Sequence, residues 1–384
     1  MTFGITTFGC DAGRSGIGRY AGQLIRELPL LPDNPDRYEV LVHRGERDAF
    51  IPPDTRALVH MLPGHLTHPV PDIAWHQTAL PAWCAWRHYD ALFLPAGNRR
   101  LPMWTPCPTV GTVHDFAAIH VAGKYDPARV FYIRNVLPAM MRRLSHVLTV
   151  SESSRADIVE YGRVPPERVT VTPLAVDTSM FYRRDKAQTT ELLSRELGLN
   201  FPFVLFVSRL EHPGKNHVGL IRAFTLLKNR RKDLPHQLVL AGPEWSGSDQ
   251  IYREAAASTC SRDILIVGAM RKELLPSLYS AADLFVFPSL YEGFGLPILE
   301  AMASGVPVAC SNVSSMPEVA GNAAELFDPG DPDGMAAAME RILSDGSGRA
   351  NRVLGGLARA REFSWQRTAR MTRDALHQVA SGRD

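Results

Sequence analysis

A carboxylate stands at either end of the stretch Glu292-Gly-Phe-Gly-Leu-Pro-Ile-Leu-Glu300, and the residues between suit a turn that runs into a helix. Pro297 fits a first helical turn, where its missing N–H costs nothing. Gly293 and Gly295 permit close backbone approach just ahead of that turn, so unpaired amides and the helix dipole would form a seat for phosphate. Glu292 precedes the helix and Glu300 lies about a turn into it, so both carboxylates can meet one ligand at different heights. A hexose and a ribose, each rich in hydroxyls, would suit them. Taken alone, Glu300 would read as a helix residue favouring the N-terminal dipole, worth about 0.3–1 kcal/mol. Its setting argues for more: upstream runs Ser208-Arg209-Leu-Glu-His-Pro-Gly214-Lys215-Asn216, two cations on a glycine-containing loop after an apolar strand. A guanidinium can clamp two oxygens of a diphosphate while an ammonium acts as a point charge.

Further motifs are Ser311-Asn-Val-Ser-Ser-Met-Pro-Glu318-Val-Ala-Gly321 and, in the first half, Ser15-Gly16-Ile-Gly18-Arg19-Tyr20, His114-Asp115 and Val150-Ser151-Glu152-Ser-Ser154-Arg155. As a set they resemble the retaining GT-B glycosyltransferases of family GT4, among them the mannosyltransferase B-like members that build bacterial surface polysaccharides. The resemblance covers most of the chain. It implies two Rossmann-like doubly wound domains facing across a cleft, the first binding the acceptor and the second the nucleotide-sugar donor. Arg209 and Lys215 would hold the donor diphosphate, Glu300 the ribose, and Glu292 the transferred sugar, with the amides of Phe294, Gly295 and Leu296 on sugar and phosphate. Gly16 and Gly18 would bring a helix end to the phosphates, and His114 would contact the sugar near its reacting centre, Asp115 orienting the loop. The base would be met by backbone near Val267 and Met270. His114, Glu292, Arg209 and Lys215 are thus the expected catalytic set.

The same resemblance implies hexosyl transfer from GDP-mannose, with dTDP-rhamnose and UDP-sugars as alternatives, to a saccharide or polyprenyl-diphosphate-linked acceptor. No cofactor is expected beyond the donor substrate, and no metal, since no Asp-x-Asp motif lies in the expected place. One formal rival is an NADP oxidoreductase: Gly16-Ile-Gly18-Arg-Tyr-Ala21 fits a dinucleotide fingerprint and Arg44 could imitate a 2′-phosphate site. The seven residues from Gly9 to Ser15 argue against it, because the fingerprint needs a tight turn directly after its strand. A non-catalytic nucleotide-sugar sensor is the other rival. His114 and Glu292, both present, favour an enzyme, although His114 taken alone would more often be a hydrogen-bonded structural histidine.

The elements that must position these residues alternate strand and helix. Strands are expected at Phe3 to Phe8, Tyr38 to Val42, Ala91 to Leu94, Thr109 to Val113 and Val147 to Val150, with a helix from Ile17 whose apolar residues recur at three-and-four spacing until Pro29. The irregular, then charged stretch from Pro173 to Gly198 reads as a domain boundary. Strands at Phe203 to Val207, Gln237 to Ala241, Ile264 to Val267 and Leu284 to Phe287, with a helix from His217 to Asn229, rebuild the alternation. The fold class is therefore α/β, with domains 1–175 and 176–364, the first completed by a terminal helix over 365–384.

Composition sets the outer limits. Of 384 residues, 45% are hydrophobic and 21% charged, which excludes disorder as the main state. Lys and Arg number 42 against 40 acidic residues, a balance that argues against a nucleic-acid partner. Five scattered cysteines form no Cys-x-x-Cys pair, and the N-terminus lacks the pattern of a secretion signal, so a cytoplasmic setting is expected, with weak association at the inner membrane face as an option. Two features bear on that option. Trp75, Trp83, Trp86 and Trp104 read as core packing or as an apolar rim, and Arg134, Arg142 and Arg143 with Met140, Met141 and Leu144 as an ordinary surface helix or a membrane-facing one.

Overall fold

A computed structural model describes residues 1–382, and among them thirteen strands form two sheets in which every neighbouring pair is parallel. The first sheet holds β1 (Thr2–Thr6), β2 (Arg37–His43), β3 (Leu58–Leu62), β4 (Ala91–Leu94), β5 (Thr109–Thr112), β6 (His146–Thr149) and β7 (Val169–Val171), in the order β3-β2-β1-β4-β5-β6-β7. The second holds β8 (Phe203–Val207), β9 (Gln237–Ala241), β10 (Ile264–Gly268), β11 (Leu284–Phe287), β12 (Val308–Ser311) and β13 (Ala324–Phe327), in the order β10-β9-β8-β11-β12-β13. Both sheets are Rossmann-like, as the alternation of elements predicts. Their central strands read as unbroken apolar runs, such as Leu284–Phe287, because helices bury both faces. Each sheet reverses its strand order once, at β1/β4 and at β8/β11, and loops leaving neighbouring strands at such a point diverge to leave a crevice.

The chain divides into two compact units. One comprises Met1–Ile119, Asp126–Leu174 and the C-terminal residues from Ser364; the other comprises Ala175–Phe363 together with the short segment His120–Tyr125. That segment interrupts the first unit's chain between β5 and β6, a detour that nothing in its sequence announces. The C-terminal helix Trp365–Ser381 is capped by Ser364 and belongs to the first unit, where Thr368 Oγ1 donates to the Pro173 carbonyl and Trp365 packs near Tyr20.

Four strands escape the sequence reading. β3, β7 and β13 are short strands at or next to a sheet edge, with half-buried residues that blur their apolar signal. β12 is buried throughout, but its four residues, Val-Ala-Cys-Ser, are few and close to the preceding motif. The charged stretch expected as an irregular boundary contains a helix, Lys186–Leu197, which starts at an Asp185 cap and stops at Gly198 with φ +68°. Its buried residues are Thr189 and Leu193, too few to stand out as a stripe. The Arg134-to-Leu144 segment covers the second half of a continuous helical run from Pro127 to Met141 that passes through a π turn at Tyr132–Val136, and past its end Arg142 and Arg143 donate to the carbonyls of Gly162 and Met103. The tryptophans divide: Trp75 stacks on Phe8 and Trp83 donates to the Tyr89 hydroxyl, whereas Trp86 and Trp104 are exposed.

The helix Gly16–Glu27 follows the predicted stripe, burying Tyr20, Ala21, Leu24 and Ile25. Gly18 is buried there too, and a Cβ on it would lie 2.4 Å from the Cys10 carbonyl oxygen and 2.6 Å from the Gly13 Cα. Alanine is the better helix former by about 1 kcal/mol, but overpacking against rigid backbone costs about 1–3 kcal/mol or more. Gly18→Ala should therefore lower both the melting temperature and the urea midpoint. An unchanged or higher midpoint would remove this packing account.

Candidate active site

In the second unit the loops that follow β8 and β11 carry the predicted charged residues. The two strands pair directly, Val204 with Leu284 and Leu205 with Phe285, so their C-terminal loops emerge side by side. Leu290 N donates to the Gly214 carbonyl, and Lys215 Nζ meets Glu292 Oε1 at 2.5 Å although 77 residues separate them. Both side chains are about 15% exposed. Burial alone would raise the Glu292 pKa; the ammonium groups of Lys215 and Lys124 outweigh it and hold the carboxyl below its ordinary range. Arg209 donates to Glu211 Oε2 at 3.0 Å and lies over the Trp245 ring, 4.6 Å from its centre.

Gly295 opens the helix Leu296–Ala303 with φ +105°, a conformation that glycine adopts without strain, and Pro297 sits in the first turn as predicted. Among the described residues nothing accepts from the amides of Phe294, Gly295 or Leu296, and three consecutive unpaired donors at a helix N-terminus suit an anion. Glu300 is buried, one oxygen held by the Tyr279 hydroxyl at 2.8 Å. Val267 and Met270 lie at and just after the C-terminal end of the edge strand β10, both half-buried.

The Ser311–Gly321 run gains a physical role. Ser314 Oγ accepts from Glu292 N and donates to Glu292 O, and Ser315 Oγ reaches the carbonyls of Glu292 and Phe294. Two hydroxyls thus fix the backbone that carries the candidate sugar-binding carboxylate. Sequence reasoning recognised the run without this reason. It missed Lys124, Glu211, Trp245 and Tyr279 altogether, because their partners are remote in the chain or embedded in unremarked loop residues.

The remaining predicted residues belong to the first unit. His114 follows β5 and is buried, its Nε2 2.8 Å from the Pro95 carbonyl that follows the neighbouring β4. A carbonyl only accepts, so Nε2 carries the proton. Burial pushes the ring's pKa down to about 4, against the pull of the Pro95 bond and Asp115, so it is neutral at pH 7. Asp115 accepts from Ala117 N and so orders the following turn. Gly16 is exposed at the start of its helix with open space around it. Gly18 donates its amide to the Ser15 cap, and its missing side chain makes room for the backbone of the Cys10–Gly13 loop.

A family model described as Glycosyltransferase Family 4 matches residues 14–180, and one described as Glycosyl transferases group 1 matches residues 190–355. O-antigen chain mannosyltransferase B of Escherichia coli is 34% identical over 370 residues, covering 94% of this chain and 95% of that protein. This chain belongs to the GT4 glycosyltransferases. Sucrose-phosphate synthase from Thermosynechococcus elongatus shares the fold with a TM-score of 0.76 at 21% identity, over 99% of both chains. Anabaena HepE in complex with UDP-glucose does so with a TM-score of 0.74 at 18% identity, over 99% of this chain and 100% of that one. These likenesses bear on the fold alone, which is GT-B.

In this glycosyltransferase the second unit gathers Arg209, Lys215, Glu292, Glu300 and the three amides through two adjacent loops and one helix, while His114, Gly16 and Gly18 lie in the first. The neutral His114 yields a direct test. Its folded pKa of about 4 lies below the ordinary 6.5, so the unfolded chain takes up the proton first, and stability falls as pH drops from about 6.5 towards 4. Urea unfolding across that range should show a shallower fall for His114→Gln than for the wild type, by up to about one proton. Equal slopes would contradict a buried neutral ring.

Proposed function

We propose that this glycosyltransferase moves a hexose, with mannose from GDP-mannose favoured, onto a saccharide or lipid-linked oligosaccharide in the building of a bacterial surface polysaccharide, with retention at the anomeric carbon and without a metal. The observation that carries the reading is the seat in the second unit, where Arg209 and Lys215 lie in one loop and the Glu292 loop leads into unpaired helix amides. Mannose is favoured by the likeness to the Escherichia coli O-antigen chain mannosyltransferase B, which the chain matches along nearly its whole length.

In this reading the donor diphosphate replaces carboxylate as the partner of Arg209 and Lys215, and Glu292, released from Lys215, turns to the sugar. The anomeric C–O bond breaks, its electron pair passing to the β-phosphate oxygen as positive charge builds on the sugar ring. Fixed cations and amides stabilise that leaving group without having to reorganise, which is the largest catalytic need of such a step. The acceptor hydroxyl attacks from the same face and gives its proton to the departing phosphate oxygen. Glu300 holds the ribose, residues near Val267 and Met270 the base, and His114 a sugar hydroxyl through neutral imidazole. No described helix is long and apolar enough to cross a membrane. Peripheral association at the inner membrane face is supported by the exposed side chains of Met103 and Trp104, beside which Arg143 is tied to the Met103 carbonyl.

Lys215→Ala and Glu300→Ala should each cut transfer by about a hundredfold or more, with circular dichroism unchanged. Turnover like the wild type's in either variant would sink the donor-site assignment. A thermal-shift panel of GDP, UDP, dTDP, ADP and NADP should single out GDP, since a bound ligand stabilises the native state by mass action. A shift with UDP or dTDP would move the donor to those sugars, and one with NADP alone would overturn glycosyl transfer. Activity lost to chelator and restored by Mg²⁺ would contradict the metal-free mechanism.

A further inference from the structure

The segment His120–Tyr125 is held in the second unit although the chain on either side belongs to the first. Its anchors lie within the candidate donor site. The His120 ring stacks on Tyr291, with centroids 4.5 Å apart and planes 8° apart, and Tyr291 is the residue before Glu292. Lys124 Nζ lies 3.3 Å from Glu211 Oε1, while the other oxygen of that carboxylate accepts from Arg209. Lys124 also passes over Gly214, the residue before Lys215: a Cβ on Gly214 would lie 3.2 Å from Nζ. The side chains of Lys124 and Glu211 are 6% and 5% exposed.

We propose that Lys124 is a third cation of the donor site, binding the diphosphate alongside Arg209 and Lys215. The inference rests on the donor-site reading above and adds a ligand group to it. Without ligand, Lys124 and Arg209 share the Glu211 carboxylate while Lys215 meets Glu292. Burying an ammonium against a carboxylate commonly gains little stability, since desolvation offsets the attraction. A structural strut could therefore be apolar at no loss. An anion arriving beside Lys215 changes the balance, because two cations that share one carboxylate then gain a second anionic partner. An ammonium has three donors, so Lys124 can keep Glu211 and still reach a phosphate oxygen. Before the ligand arrives Glu211 positions both Arg209 and Lys124, and the His120–Tyr291 stack sets where the lysine enters.

The test is titration calorimetry of GDP and of GMP with the wild type, Lys124→Met and Lys124→Arg, each checked by its melting temperature. Lys124→Met should weaken GDP by about tenfold or more and GMP much less, as loss of a charge-assisted contact to the diphosphate requires, and Lys124→Arg should recover most of the GDP affinity. Unchanged GDP affinity in Lys124→Met would overturn the proposal. Equal losses for GDP and GMP with a lowered melting temperature would also overturn it, by making Lys124 a strut. If the wild type binds neither GDP nor UDP, the donor-site reading itself fails, a result distinct from either of those.

Discussion

Lys215 and Glu292 form an ion pair that exists only because β8 and β11 are neighbours where the second sheet reverses its strand order. Much of the donor seat depends on that adjacency. It places the Arg209–Lys215 loop against the loop that opens the Leu296–Ala303 helix, and it sets the backbone contact between Leu290 and Gly214. Neither loop alone is more than a charged turn. Side by side, they form a partly enclosed seat in which each charge has an opposite one within reach.

That compensation has a functional consequence. Unpaired charges in a cleft with so little exposure would be costly, and the group would shift its pKa or draw in water. Here Glu292 holds Lys215 while Glu211 holds Arg209 and Lys124, so the cations are held in position before any ligand arrives. In the proposed reading an incoming diphosphate would exchange one set of anionic partners for another. The Ser314 and Ser315 hydroxyls keep the Glu292 backbone in place during that exchange, which limits the rearrangement to side chains.

The first unit follows a different logic. Its sheet also reverses, at β1/β4, where Arg99 pairs with Asp11; His114 is held uncharged by burial, and Gly18 is committed to packing against the Cys10–Gly13 loop. A neutral imidazole suits hydroxyls better than phosphates. The ion pairs of Lys215 with Glu292 and of Arg209 with Glu211 are concentrated in the other unit, so a chain with a near-zero net charge still carries a local cluster of cations.

Local patterns in the sequence were enough for the α/β class, for most central strands and for the helix start at Pro297, because strand runs, helical stripes and caps are short-range signals that a few residues carry. They also marked Arg209, Lys215, Glu292 and Glu300, which stand in compact motifs. The edge strands β3, β7 and β13 and the Lys186–Leu197 helix were hidden, since half-buried elements have weak apolar signals. Only the tertiary structure decided which charges meet. The Lys215–Glu292 pair spans 77 residues, the Ser314 clamp on Glu292 spans 22, and Lys124 reaches Glu211 on a segment whose neighbours on either side belong to the other unit. Such pairings follow from strand order and from where the chain crosses between units, and these are set by burial of whole sheets instead of the residues that later do chemistry.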